Sequence, residues 1–137
     1  MIHLKVVTPF GIGIDEDVVS VTLPFEKGPT MIEGGCTPNM GGREEPGIMK
    51  VTKERKTSFY VLFPFTVSIG PKEVVVVSER LESGSSIDVA RANEDLARNK
   101  GILETSQEEK EIKKAKARIN KAILRIKAKD LSSGNQS

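Results

Sequence analysis

All seven prolines of this 137-residue chain lie before residue 72, and none follows. Proline interrupts helices and central strands, so long helices are confined to the C-terminal part. Upstream, short β-branched runs are separated by glycine and proline: HLKVVT, DVVSVTLP, GIMKVT, SFYVLF, TVSI and EVVVVSE. Their spacing and the turn residues between them predict an antiparallel β-sandwich or flattened barrel over residues 1 to 84. Val19, Val21 and Leu23 alternate with Ser20 and Thr22, the period of a half-buried strand. The four valines Val74 to Val77 are expected to be buried. Between Phe25 and Gly47 there are six glycines and three prolines and no sustained period, which predicts a long loop.

Residues 85 to 137 are predicted to form an antiparallel two-helix hairpin with a disordered tail, LSSGNQS, making the fold class α+β. Val89, Ala92, Leu96 and Leu103 share one face of the first helix, Asp88 is placed to cap it, and Gly101 weakens its last turn. Ser106 with Glu109 has the spacing of a capping box opening the second helix. Ile112, Ala115, Ile119, Ala122 and Ile126 form that helix's apolar stripe. Both stripes are narrow and alanine-rich, so the hairpin buries little area and is expected to open at modest cost.

Beside the second stripe, Lys114, Arg118, Lys121 and Arg125 are spaced 4, 3 and 4 apart, stacking four cations on one face. Such a face is either simply solvated or a site for anions, because like charges this close repel until something neutralises them. The stretch IDVARA, residues 87 to 92, offers the complementary chemistry. Asp88 near a helix start can accept from an amino group, and backbone near Ile87 and Ala92 can complete recognition of a base edge. Arg91 and Arg98 are seven apart on one helix face and can meet Arg125 across the hairpin, forming a cluster for phosphates. The bland alternative is that Asp88 only caps the helix while Arg91 pairs with a nearby carboxylate.

Composition excludes much else. His3 is the only histidine and Cys36 the only cysteine, so no disulfide, zinc-thiolate cluster or multi-histidine metal site can be assembled. No G-x-x-x-x-G-K-[ST] stretch occurs, and an enzyme is the least expected class. No segment approaches the ~20 apolar residues of a membrane span and no signal peptide is visible, so the protein is expected in the cytosol or peripheral to a membrane. A net charge of +2 implies no partner by itself. A nucleic-acid-binding module could use the basic helix, but every aromatic residue lies upstream of it, leaving none there to stack on bases.

In order along the chain, LKVVTPFG, VVSVTLP, PGIMKV, the valine strand, IDVARA and the lysine-rich last helix resemble the epsilon subunit of F-type ATP synthases of bacteria and chloroplasts. The resemblance implies a sandwich docked on the gamma shaft subunit and the membrane c-ring, at the cytoplasmic face of the membrane. It also implies a hairpin that either folds up or extends along the shaft, the extended form inhibiting ATP hydrolysis. In that state the basic face of Lys114, Arg118, Lys121 and Arg125 is expected to lie against acidic surfaces of the catalytic alpha and beta subunits. In some bacterial members ATP holds the hairpin folded through an I-D-x-x-R-A motif, matched here by Ile87, Asp88, Arg91 and Ala92. Further contacts of those members correspond to Glu82, Arg98, Lys121 and Arg125. Lys121 stands where binders carry arginine and lacks the planar fork. A structural coupling subunit without a working ATP site is the alternative. Two departures stand out. EGGCTP replaces a Leu-Pro-x-His-Ala-Pro loop facing the ring, and Phe63 to Phe65, FPF, replaces Gly-Gly-Phe, so that Pro64 requires a bulge or an edge. Cys36, in the altered loop, reads as a small packing residue.

Overall fold

A computed structural model describes residues 1–134, which fall into two compact units, Met1–Ser83 and the segment from Gly84 onward. The first is a sandwich of ten strands: β1 Ile2–Thr8, β2 Gly11–Val18, β3 Ser20–Phe25, β4 Gly28–Ile32, β5 Asn39–Arg43, β6 Gly47–Thr52, β7 Thr57–Leu62, β8 Phe65–Ile69, β9 Glu73–Ser78 and β10 Leu81–Ser83. They form two five-stranded sheets, ordered β2-β1-β9-β8-β5 and β10-β7-β6-β3-β4. All pairings are antiparallel except that of β1 with β9, which run parallel with His3 opposite Glu73 and Val7 opposite Val77. The inner faces close on an aliphatic core that includes Leu4, Val6, Val18, Val21, Leu23, Met49, Val51, Leu62, Val74 and Val76. At ~25 cal/mol per Å² of apolar surface removed from water, burial of this kind is the main favourable contribution to the unit.

The segment between Phe25 and Gly47 is not a long loop. It carries β4, turned back from β3 through Gly28 at φ +128°, and β5, an edge strand on β8. The two glycines of β5 are there for close approach: a Cβ at Gly42 would stand 2.5 Å from the Phe65 carbonyl oxygen, and one at Gly41 2.9 Å from the Phe25 ring. A glycine-rich edge strand has no hydrophobic period to betray it.

The alternation expected through Val19 also breaks. Val19 is 39% exposed while Ser20 is buried, because the chain leaves one sheet at Val18 and enters the other at Ser20. Of the four valines, Val74 and Val76 face the core and Val77 is 52% exposed, since only one face of β9 is covered. Pro64 escapes the ladder by lying between β7 and β8, where its carbonyl accepts from the Glu79 amide. Cys36 is half-buried against the core, with its thiol 3.5 Å from the Gly70 carbonyl oxygen. On the outer face of β1, His3 lies between Asp17, 2.8 Å from Nδ1, and Asp15, 2.5 Å from Nε2.

The second unit begins with a 3₁₀ turn, Gly84–Ser86, and continues as α1, Val89–Thr105, and α2, Glu109–Ser132. α2 doubles back on α1, so that Lys129 Nζ near its end donates to the Ser85 carbonyl, 2.8 Å away. Asp88 caps α1, its carboxylate accepting from the Arg91 amide at 3.1 Å. The expected capping box at Ser106 does not form. Ser106 ends α1, and its hydroxyl accepts from the Glu108 amide and donates to Glu111, while Glu108 takes the cap position of α2 with no side-chain bond. Gly101 is accommodated within α1. Of the predicted tail, Leu131 and Ser132 close α2 and residues 135–137 lie outside the described residues.

The seam between the helices is lined by Ala92, Ala115 and Ala122, all nearly fully buried. Asn99 continues the α1 stripe through this seam at 3% exposure. Its Nδ2 donates to the Asp95 carbonyl at 2.7 Å, and its Oδ1 is buried without a hydrogen-bond partner among the described residues.

Candidate anion-binding cleft of the helical hairpin

Because alanines hold the two helices close, the long side chains flanking the seam form the walls of a groove. A cleft of about 310 Å³ results, lined by Asp95, Arg98, Asn99 and Ile102 from α1 and by Arg118, Lys121 and Arg125 from α2. The α2 residues follow i, i+3, i+7 spacing, so they stand along one face. Arg98 Nη1 is 3.2 Å from Asp95 Oδ1, one turn earlier, in a pair exposed enough to contribute little to stability. Lys121 and Arg125 are half-buried where they line the cleft. The arrangement suits a multiply charged anion, which would offset the repulsion among the cations.

Of the residues singled out in the sequence, the cleft brings together Arg98, Arg118, Lys121 and Arg125. Ile87, Asp88, Arg91 and Ala92 sit at the start of α1 and do not line it. Ala92 is buried, Arg91 is exposed, and the Asp88 carboxylate is already engaged as the helix cap. Glu82 belongs to the sandwich unit, on β10, where its carboxylate is 2.9 Å from Arg80 Nε. Lys114 is exposed and outside the cleft, so the four-cation face divides after its first member. Sequence reasoning missed Asp95, Asn99 and Ile102, and placed Arg118 on the basic face but not among the nucleotide contacts. An acid one turn before Arg98 and a polar residue within an apolar stripe were the available signals.

The sandwich has a concavity of its own, about 490 Å³, bordered by Thr8, Phe10, Ile12, Tyr60, Arg80 and Leu81. Phe10 is 83% exposed and Ile12 58% at its rim. Among the described residues no group of three or more His, Cys, Asp or Glu could hold a metal ion, and no helix is long and apolar enough to cross a membrane.

No protein-family model matches the chain. Comparison with curated proteins finds the ATP synthase epsilon chain of Gloeobacter violaceus, 32% identical over 127 residues, covering 93% of this chain and 96% of that protein. The ATP synthase epsilon chain of Bacillus mycoides is 23% identical over 128 residues, with the same two coverages. Among solved structures, a chain of the Euglena gracilis mitochondrial ATP synthase, OSCP/F1/c-ring in rotational state 1, superposes with a TM-score of 0.77 at 16% identity. The match covers 86% of this chain and 74% of that one. A chain of the Tetrahymena thermophila mitochondrial ATP synthase central stalk/c-ring gives 0.62 at 15% identity, over 93% and 95% of the two chains.

Proposed function

The chain belongs to the family of ATP synthase epsilon chains, and from that premise we propose that its helical hairpin is an ATP-responsive arm that restrains ATP hydrolysis when extended. The protein is a stalk subunit of the synthase rather than a catalytic one. Its sandwich docks on the gamma shaft and the c-ring at the membrane surface. Docking of that kind needs exposed apolar area, which Phe10, Ile12, Met40 and Val77 supply.

The observation carrying the arm's role is that Arg98, Lys121 and Arg125 line a single cleft between α1 and α2. That cleft exists only while the helices lie together. A ligand shifts such an equilibrium by its differential affinity for the two states, so ATP bound there favours the folded arm. When the arm extends, the cations of α2 become available to acidic surfaces of the alpha and beta subunits. One set of charges thus serves two exclusive partners. Ile87, Asp88, Arg91 and Ala92, at the start of α1, supply the base-recognising part of the nucleotide site in this reading. The Asp88 carboxylate retains a second oxygen for the base while the first caps α1.

A second reading has an observation of its own. With Asp88 serving as cap and Arg98 paired to Asp95, the cleft is partly satisfied from within, as in a coupling subunit whose nucleotide site no longer works. Calorimetric titration of the full chain with ATP, with ADP and GTP as controls, separates the two. The sensor requires saturable one-to-one ATP binding that weakens about tenfold or more, roughly 1.4 kcal/mol, in Arg125→Ala. Absence of binding up to millimolar ATP leaves the coupling role alone.

A further inference from the structure

In the cleft, four cations face one carboxylate, an excess of three positive charges. Their local situations differ. Arg98 is already held by Asp95, and Lys121 offers a point charge without a fork. Arg118 has neither an ion pair nor a hydrogen bond to its guanidinium among the described residues, although it lines the cleft with the others. A guanidinium left without a partner in a groove this cationic repels its neighbours until an anion arrives.

Position along α2 sets the order in which the cations meet a ligand. Lys129, near the end of α2, donates to the Ser85 carbonyl just before the IDVARA stretch. Moving away from that end, the cleft presents Arg125, then Lys121, then Arg118. Arg118 and Arg125 are seven residues apart on one face, about 10 Å along the axis at the α-helical rise. That distance spreads the charges along a phosphate chain instead of focusing them on one phosphate.

We infer that Arg118 is a ligand-binding residue of the cleft that grips the terminal phosphate of a nucleoside triphosphate, supplying the bidentate fork that Lys121 lacks. The inference rests on the reading of the cleft as a nucleotide site. It gives Arg118 a specific role in the folded state, and it gives the cleft a means of counting phosphates. ADP, anchored at the IDVARA end, reaches Arg125 and Lys121 but not Arg118, so Arg118 adds to the affinity for ATP alone.

The test is calorimetric titration of the full-length protein with ATP, ADP and inorganic tripolyphosphate, comparing wild type with Arg118→Gln and with Lys113→Gln, an exposed α2 position outside the cleft. Glutamine keeps the helix and the side-chain stem, and the far-ultraviolet signal verifies that the hairpin persists. Arg118→Gln is expected to lose about tenfold in ATP affinity with ADP affinity little changed, narrowing the ATP-to-ADP ratio, while Lys113→Gln behaves as wild type. Unchanged ATP affinity in Arg118→Gln overturns the inference and leaves the nucleotide site standing. Equal losses for ATP and ADP also overturn it, because the residue then acts only through its general field. If wild type binds neither nucleotide nor tripolyphosphate, the site reading falls and the inference with it.

Discussion

His3 is gripped on both ring nitrogens, by Asp17 and Asp15, and stands opposite Glu73 on the neighbouring β9. Its pKa is raised above 6.5, first by the hydrogen bond to Asp17 and then by that to Asp15. A raised folded-state pKa means that the imidazolium favours the folded sandwich. Its contribution is therefore complete below pH 6.5 and fades as pH climbs through the raised value. Following the His3 ring protons by NMR across pH should give a midpoint above 6.5, brought down in Asp17→Asn. A wild-type midpoint at or below 6.5 would show that the carboxylates do not hold the charge. As the only histidine, His3 was conspicuous in the sequence. Its carboxylate partners were not, because they lie 12 and 14 residues away and only the register of β1 on β2 brings them alongside.

At the level of elements, the α1–α2 seam carries a built-in weakness. Asn99 takes the place of an apolar residue in a seam otherwise rich in alanine, and its buried Oδ1 finds no donor among the described residues. An unsatisfied buried acceptor costs about 1–3 kcal/mol, part of which is recovered when the helices separate and water reaches it. Asn99→Ala, which removes that acceptor and raises helix propensity, should stabilise the folded hairpin by about 1 kcal/mol. Denaturant unfolding followed through the helical signal measures this, and a destabilised variant would mean that the bond to the Asp95 carbonyl outweighs the orphaned oxygen. The helices themselves were legible because their period is strong and no proline interrupts them. The start of α2 was misread because Ser106 has two uses, closing one helix and bracing the next, and spacing alone cannot choose between them. β4 and β5 went unseen for different reasons: β4, GPTMI, is short and carries Pro29 with no alternation, whereas β5, NMGGR, has two glycines and is specified by its pairing with β8, remote in sequence. Cleft residues contributed by α2 were visible as a charge pattern, whereas those of α1 required knowing how the helices align.

For the whole molecule, the question is whether the charges of α2 restrain the synthase. Replacing Arg118, Lys121 and Arg125 together by alanine should relieve inhibition of ATP hydrolysis in the assembled enzyme, measured against the enzyme carrying the wild-type subunit. Unchanged inhibition would remove the basic face from that role. The sandwich holds a different consequence, in the order of synthesis. β1 is made well before its parallel partner β9, which lies 70 residues later. At roughly 5–20 residues per second of translation, the central ladder of that sheet cannot begin to close for about 4–14 s after β1 emerges. Until Val77 is made, one edge of β1 has only solvent or a chaperone to pair with, so the nascent chain is most open to misassembly in that interval. The hairpin is translated after the sandwich, when all ten of these strands already exist.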